Sequence, residues 1–335
     1  MKQLRVEAFI RMLGSDQGGM SRPVIVLADD GQEYILKNQN VYDPRINQWV
    51  TWNSMYVHEA LSWKIANHID APIPDCAVLE VDNIFLDAHP ELRFNSRITS
   101  GKHFGSLVIE NPETNLQQGF AQLQASGKPY RKNVLNNYYS NVANGHAMAN
   151  IVALDMLTLN FDRFTNDGNL LVASPNGIRN IYAIDHGHCF ASASWDVNRI
   201  QWLNNIGLNL QQHIDWIINQ YFVVNGQRLF GSLGEVFKAM EQHIDLTDPT
   251  CHSFQPIVNS IERITEVEIQ SWLSSIPDEW FVQRLAQSNY YIDFLILHKN
   301  IVKILINILY SQGAFTNTLG AGGALEWIDV KTGTQ

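Results

Sequence analysis

The chain is 335 residues long, 45% hydrophobic and 17% charged, with a formal net charge of −10. This is the composition of a folded protein with room for a large core; it excludes a disordered polyelectrolyte and gives no global field for nucleic acid or anionic lipid. Cys76, Cys189 and Cys251 are too few and too scattered for a disulfide framework or a four-ligand zinc site, and read as thiols of a reducing compartment.

Residues 4–10 (L-R-V-E-A-F-I) alternate as a strand, and no apolar signal core precedes them. A glycine-rich turn follows, Leu13 to Pro23, containing Gly14, Gly18 and Gly19. Val24 to Ala28 is a second strand, Asp29-Asp30-Gly31 a hairpin turn, and Glu33 to Lys37 a third strand. Strand, glycine loop, strand, turn and strand ending in lysine suit a nucleotide. Backbone N–H groups of an unencumbered loop approach phosphates, and the lysine adds a point charge. The loop is neither a Walker motif nor a G-x-G-x-x-G string, so an ordinary hairpin loop and a solvated lysine stay open as alternatives.

Residues 38–53 are polar and read as a loop around Tyr42-Asp43-Pro44-Arg45. A helix is predicted over Ser54 to Ile69, with Val57, Leu61, Ile65 and Ile69 at helical spacing and Glu59 off that stripe, facing solvent unless it finds a cation. Pro72 and Pro74 end the segment, and Cys76 to Val81 returns as a strand. Asp82 to His89 is turn-rich, and Gly101 to Ser106 followed by Leu107 to Glu110 reads as a connector between two lobes. Beyond it, helices are predicted at Gln117–Ala125, His146–Leu159, Trp195–Asn204, Leu210–Val223, Leu233–His243, Phe254–Arg263, Glu266–Ile276, Asp278–Gln287 and Tyr291–Tyr310. The last is interrupted by Asp293, His298, Lys299, Asn300 and Lys303, so it reads as a core helix and not a membrane span. A frayed tail is expected after Phe315, and no linker or repeat divides the chain.

The most informative stretch is Leu159 to Phe190. Asn169 opens an apolar strand, Leu170 to Ala173; Pro175-Asn176-Gly177 reverses the chain; Ile181 to Ile184 is a second strand ending in Asp185. Such a hairpin brings Asn169 and Asp185 together at its open end, with Asp162 a few residues upstream. Two carboxylates and an amide oxygen suit a hard divalent cation and phosphoryl transfer. The alternative is that both aspartates are turn residues. His186 and His188 alternate in direction, which favours packing over a metal pair. Asp155 is read as a hydrogen-bonding support, the scattered tryptophans as packing, and Ser15 and Ser21 as turn serines or autophosphorylation sites.

Taken in order, Gly18-Gly19-Met20-Ser21-Arg22-Pro23, Asp29 to Lys37, the Glu59 helix ending at Pro72-Ile73-Pro74, His103-Phe104-Gly105-Ser106, Asn160-Phe161-Asp162-Arg163, Asn169-Leu170-Leu171 and Ile184-Asp185-His186-Gly187 resemble the HipA-like kinases over roughly residues 1–200. The compact branch of that family is the nearest match. The resemblance implies an α+β, two-lobed protein-kinase-like fold: a small β-rich N-lobe to about residue 105, a connector to about 111, and a mainly helical C-lobe to about 315, with 316–335 a flexible tail. It implies Asp162 as the catalytic base, Asn169 and Asp185 as Mg²⁺ ligands, and Lys37 on the ATP phosphates, anchored by Glu59 and assisted by Gly18, Gly19 and Ser21. Asn166 and Asp167 lie closer to Asp162 and compete with Asn169 for the metal. The expected activity is ATP- and Mg²⁺-dependent phosphorylation of a protein serine or threonine. The alternatives are a small-molecule kinase of the aminoglycoside type, or a nucleotide-binding pseudokinase of a toxin–antitoxin-like system. The expected setting is cytoplasmic, with a hydroxyl acceptor and a small antitoxin-like partner, and without nucleic acid or membrane.

Overall fold

The computed structural model describes residues 1–13, 22–127, 131–196, 209–224, 227–228, 233–319 and 324–328. It is a mixed helix-and-strand protein in which a sheet comes first and helices dominate later. The chain opens with β1 (Lys2–Met12), β2 (Val24–Ala28) and β3 (Glu33–Leu36), an antiparallel run with the expected Asp29-Asp30-Gly31 turn between the last two. The polar stretch read as a loop is instead a small hairpin, β4 (Asn40–Asp43) and β5 (Gln48–Thr51). Its turn hides the alternation: Tyr42 packs edge-on against Trp49, and Asn47 adopts φ 54°.

Helix α1 (Met55–His68) leads to β6 (Cys76–Val81). The segment expected to be turn-rich folds into two short helices, α2 (Asn83–Ala88) and α3 (Pro90–Asn95). Asp82 caps the first, accepting the Phe85 N–H at 2.7 Å, and Pro90 starts the second, where its missing N–H costs nothing. Strand β7 (Gly101–Leu107) completes the sheet, so the irregular connector begins only at Val108. The order is β1-β2-β3-β7-β6, and β6 closes the sheet by pairing in parallel with β1, Leu4 opposite Leu79. A dedicated core of Val6, Val24, Val26, Tyr34, Leu36 and Leu79 fills it.

The remainder holds α4 (Asn115–Ala125), α5 (Lys132–Tyr139), α6 (Met148–Thr158), the hairpin β8 (Leu170–Ala173) and β9 (Asn180–Ala183), α7 (Leu210–Tyr221), α8 (Glu235–Met240), α9 (Phe254–Glu262), α10 (Glu266–Ser274) and α11 (Arg284–Ser311). Asp278–Trp280 is only a 3₁₀ turn, and the helix expected there starts at Arg284 and runs on through the Tyr291–Tyr310 segment. Most of the helix predicted at Trp195–Asn204 lies outside the described residues. The large core joins α1, α6, the β8–β9 hairpin and α11. After Phe315 the described chain stays packed: Leu325 is buried, and Trp327 Nε1 donates to Asn307 at 3.0 Å. No helix among the described residues is long and apolar enough to cross a membrane.

Candidate active site

The β8–β9 hairpin forms as its two apolar runs and intervening turn predict, with Leu170 opposite Ala183. The Ile184 N–H donates to the Asn169 carbonyl at 3.1 Å, carrying the pairing one step past the ladder. Asn169 and the chain entering Asp185 are therefore neighbours at the open end. Asp185 has φ 62°, a left-handed conformation that aspartate tolerates better than most residues and that turns its carboxylate off the strand.

The second piece comes from α6, which stops at Leu159 in a left-handed conformation (φ 57°, ψ 42°). The chain then makes a 3₁₀ turn, Phe161–Phe164, that leaves Asp162 exposed and buries Arg163 completely. Asp162 Oδ2 accepts from Asn169 Nδ2 at 3.0 Å. With its amide oriented to satisfy both partners, Asn160 donates to Asp162 Oδ1 at 2.8 Å and accepts from Arg163 Nη2 at 2.7 Å. Arg163 Nε reaches both oxygens of Asp155, at 2.8 and 3.0 Å, and Nη1 donates to the Ile184 carbonyl at 2.8 Å and to that of Asn169. One guanidinium thus ties α6 to both ends of the hairpin.

The third piece arrives from the sheet. Lys37 Nζ lies 2.7 Å from Glu59 Oε1 and 3.1 Å from Asp185 Oδ1, joining β3, α1 and the hairpin end. Glu59 is 3% exposed, not solvent-facing, because the first half of α1 is buried all round. The same Glu59 oxygen accepts the His186 N–H at 3.1 Å. Its neighbour His58 contacts the Gly187 carbonyl through Nδ1 at 3.1 Å, and a carbonyl only accepts, so that nitrogen carries the hydrogen. Nε2 then faces the Tyr291 hydroxyl of α11 at 2.8 Å. Consecutive residues of α1 therefore grip Asp185-His186-Gly187. A Cβ on Gly187 would meet Met55 Cγ at 2.6 Å, so the grip requires glycine there.

The electrostatics follow from these contacts. Burial works against the Lys37 ammonium, but the Asp185 and Glu59 carboxylates outweigh it and hold its pKa above the ordinary lysine value. Lys37 draws the half-exposed Asp185 carboxyl down to about 2. Partial desolvation of its carboxyl in the cleft raises Asp162 above the ordinary value against the pull of Arg163, and the Asp185 charge adds to the rise. Burial also pushes Asp155 up, to about 7, with Arg163 opposing.

The residues expected in the site thus converge where they are described: Lys37, Glu59, Asp162, Asn169 and Asp185. Of the competitors, Asn166 lies against the site and Asp167 is turned to another partner. Asp167 pairs with Arg131 at 3.1 Å, while Asn166 accepts the Gly168 N–H at 3.0 Å and donates to Asn169 Oδ1 at 3.1 Å, bracing the rival amide. Gly18, Gly19 and Ser21, with Ser15, lie outside the described residues. Just inside that turn, the Leu13 N–H donates to the Pro23 carbonyl at 3.2 Å. His186 is buried with Nδ1 3.4 Å from Arg163 Nη2, and His188 is exposed with its ring edge-on to Trp52 at 4.3 Å. Sequence reasoning missed Arg163 and His58. The signal for Arg163 was Asp155, a carboxylate inside an otherwise apolar helix, which has to find a cation.

A model of the HipA-like kinases matches residues 9–201, more than half of the chain, and the chain belongs to that family. Among solved structures it is similar to the crystal structure of the Helicobacter pylori proinflammatory kinase CtkA. That similarity has 13% identity and a TM-score of 0.50, and covers 90% of this chain and 94% of that one, a likeness of fold. No curated protein matches.

Proposed function

We propose that the chain is an ATP- and Mg²⁺-dependent phosphotransferase with a two-lobed protein-kinase-like architecture, acting on a serine or threonine hydroxyl of a protein in the cytoplasm. The closed sheet with α1 would be the N-lobe, and the chain beyond the connector the C-lobe. The observation that carries the reading is the meeting of Lys37 with Asp185 beside the Asp162–Asn169 pair. Lysine is the cation suited to the nucleotide phosphates, and Glu59 holds it in reach. Asp162, exposed and hydrogen-bonded on both oxygens, would orient the acceptor hydroxyl and take its proton.

Asn169 and Asp185 would hold Mg²⁺. The donors are oxygens, as a hard cation requires, and two of them would leave coordination positions for phosphate and water. When bound, Mg²⁺ supplies charge neutralisation for the transferring phosphoryl group. Arg163 keeps Asn169 and Asp185 at a fixed separation by holding the carbonyls of Asn169 and Ile184.

The test is incubation with γ-labelled ATP and Mg²⁺, alone and with cell lysate. Label on a protein is expected, and it is expected to vanish in Asp162→Ala and Asp185→Ala with the fold intact by circular dichroism. Label only on small molecules would reassign the acceptor, and unchanged turnover in Asp185→Ala would remove the metal role.

A further inference from the structure

On the side of the sheet where α2 and α3 sit, a cavity of about 640 Å³ is lined by Asn40, Asn83, Arg93, Arg97, Thr99 and Ser100. It shares Asn40, Thr99 and Ser100 with a second cavity of about 210 Å³ that reaches Tyr56 on α1, so the two form one trough. The catalytic reading uses none of it. The first cavity's lining holds two arginines and no carboxylate, beside the apolar Leu86 and Ile98, while the second carries Lys102 paired with Glu279 at 3.1 Å, on a chain whose net charge is −10. Arg93 is held by Asp87 at 2.7 Å and by Asn83 at 3.0 Å. Arg97 is exposed, with φ 53°, and its guanidinium carbon lies over the Trp49 ring, 4.5 Å from the centroid. That contact holds the guanidinium against an aromatic face at an exposed position. Next in sequence to two lining residues stand Ile84 and Phe94, which are 80% and 81% exposed. Neither lines the cavity, but large apolar side chains exposed to that degree on the two helices that border it suit a contact surface.

We propose that this trough docks an acidic segment of a partner protein carrying a large apolar side chain: a carboxylate on Arg97 and the apolar group against Phe94 and Ile84. A carboxylate matches the planar fork in bidentate fashion, and charge complementarity argues for an acidic occupant over a basic one. The trough floor is wired to the nucleotide side. Asn40 Nδ2 donates to the Arg97 carbonyl at 3.1 Å, the Asn40 N–H donates to Asn38 Oδ1 at 3.1 Å, and Asn38 Nδ2 donates to the Ser96 carbonyl. Asn38 follows Lys37, whose own carbonyl accepts from the Tyr56 hydroxyl at 2.8 Å. An occupant pressing on residues 96–97 therefore acts one residue from the lysine.

A random displayed-peptide library selected on the full chain tests the proposal. Enriched peptides are expected to carry paired Asp or Glu beside Phe, Leu or Trp, and to bind Arg97→Glu and Phe94→Ser about tenfold more weakly, on the scale of a lost anchor. The more conservative Arg97→Gln and a circular dichroism spectrum separate lost docking from lost fold. No enrichment, enrichment of basic or neutral peptides, or equal binding to Arg97→Glu and Arg97→Gln would each overturn it. Displacement of the peptides by millimolar inorganic phosphate would overturn it too, by showing a small-anion site only. The readout is binding, so failure of the phosphotransfer assay leaves this test intact, and the converse holds.

Discussion

Arg163 is wholly buried, and its charge is returned by Asp155, by two backbone carbonyls and by Asn160 once that amide is oriented. Removing it strands the Asp155 carboxylate in the core. Arg163→Leu is expected to cost about 3–5 kcal/mol in urea unfolding, and the double variant Asp155→Leu/Arg163→Leu less than either single change, because no lone charge is left. Equal or additive losses would show that the pair is not a unit. Asp185 makes a pH prediction. Its folded pKa, about 2, lies below the unfolded carboxylate value near 4, so its stabilising contribution is complete above the unfolded pKa and is lost as pH falls towards 2. The unfolding free-energy gap between the natural chain and Asp185→Asn, which keeps the left-handed tolerance, is expected to be constant from neutral pH to about pH 5 and to close below pH 4. A gap that widens on acidification would reverse the assignment of Lys37 as its cause.

At the scale of elements, short range decides what can be read from sequence. The β8–β9 hairpin carries its turn and both apolar runs within one stretch, so both strands and the placement of Asn169 beside the Asp185 end were legible. α1 was legible as a helix but not as a helix buried on every side near its start, since burial of Glu59 and His58 depends on Asp185 to Gly187, far along the chain. The β4–β5 hairpin was hidden by its polar composition, and α2 and α3 by their shortness. A backbone contact had no local signal at all. Gly234, just before α8, sits at φ 123°, and a Cβ there would lie 2.2 Å from the Phe164 carbonyl oxygen. Gly234→Ala is therefore expected to destabilise the chain by about 3 kcal/mol or more in thermal or urea unfolding, through backbone strain and forced separation from the Asp162 turn. A neutral effect would mean that α8 can slide.

Across the whole molecule, α11 stands behind the sheet-side machinery. Tyr291 meets His58, Gln287 reaches Ser54 Oγ at 3.5 Å, and Phe190, just past the Asp185 turn, packs edge-on against Tyr291 and Phe294. Tyr291→Phe is expected to cost about 1–3 kcal/mol of stability and to lower phosphotransfer by loosening the Glu59 helix, read as faster amide exchange in α1. In the natural chain, α1 amide protection is expected to be the same with and without Mg-ATP. A rise on nucleotide addition would show that the helix is mobile and only later captured. Switching a catalytic centre off by swinging out its glutamate-bearing helix needs that helix to come free, and here Tyr291 and Gln287 of the 28-residue α11 hold His58 and Ser54 at its start. A glutamate helix held in this way is expected to be set before any nucleotide arrives, which would leave control to the cleft mouth or to the supply of acceptor.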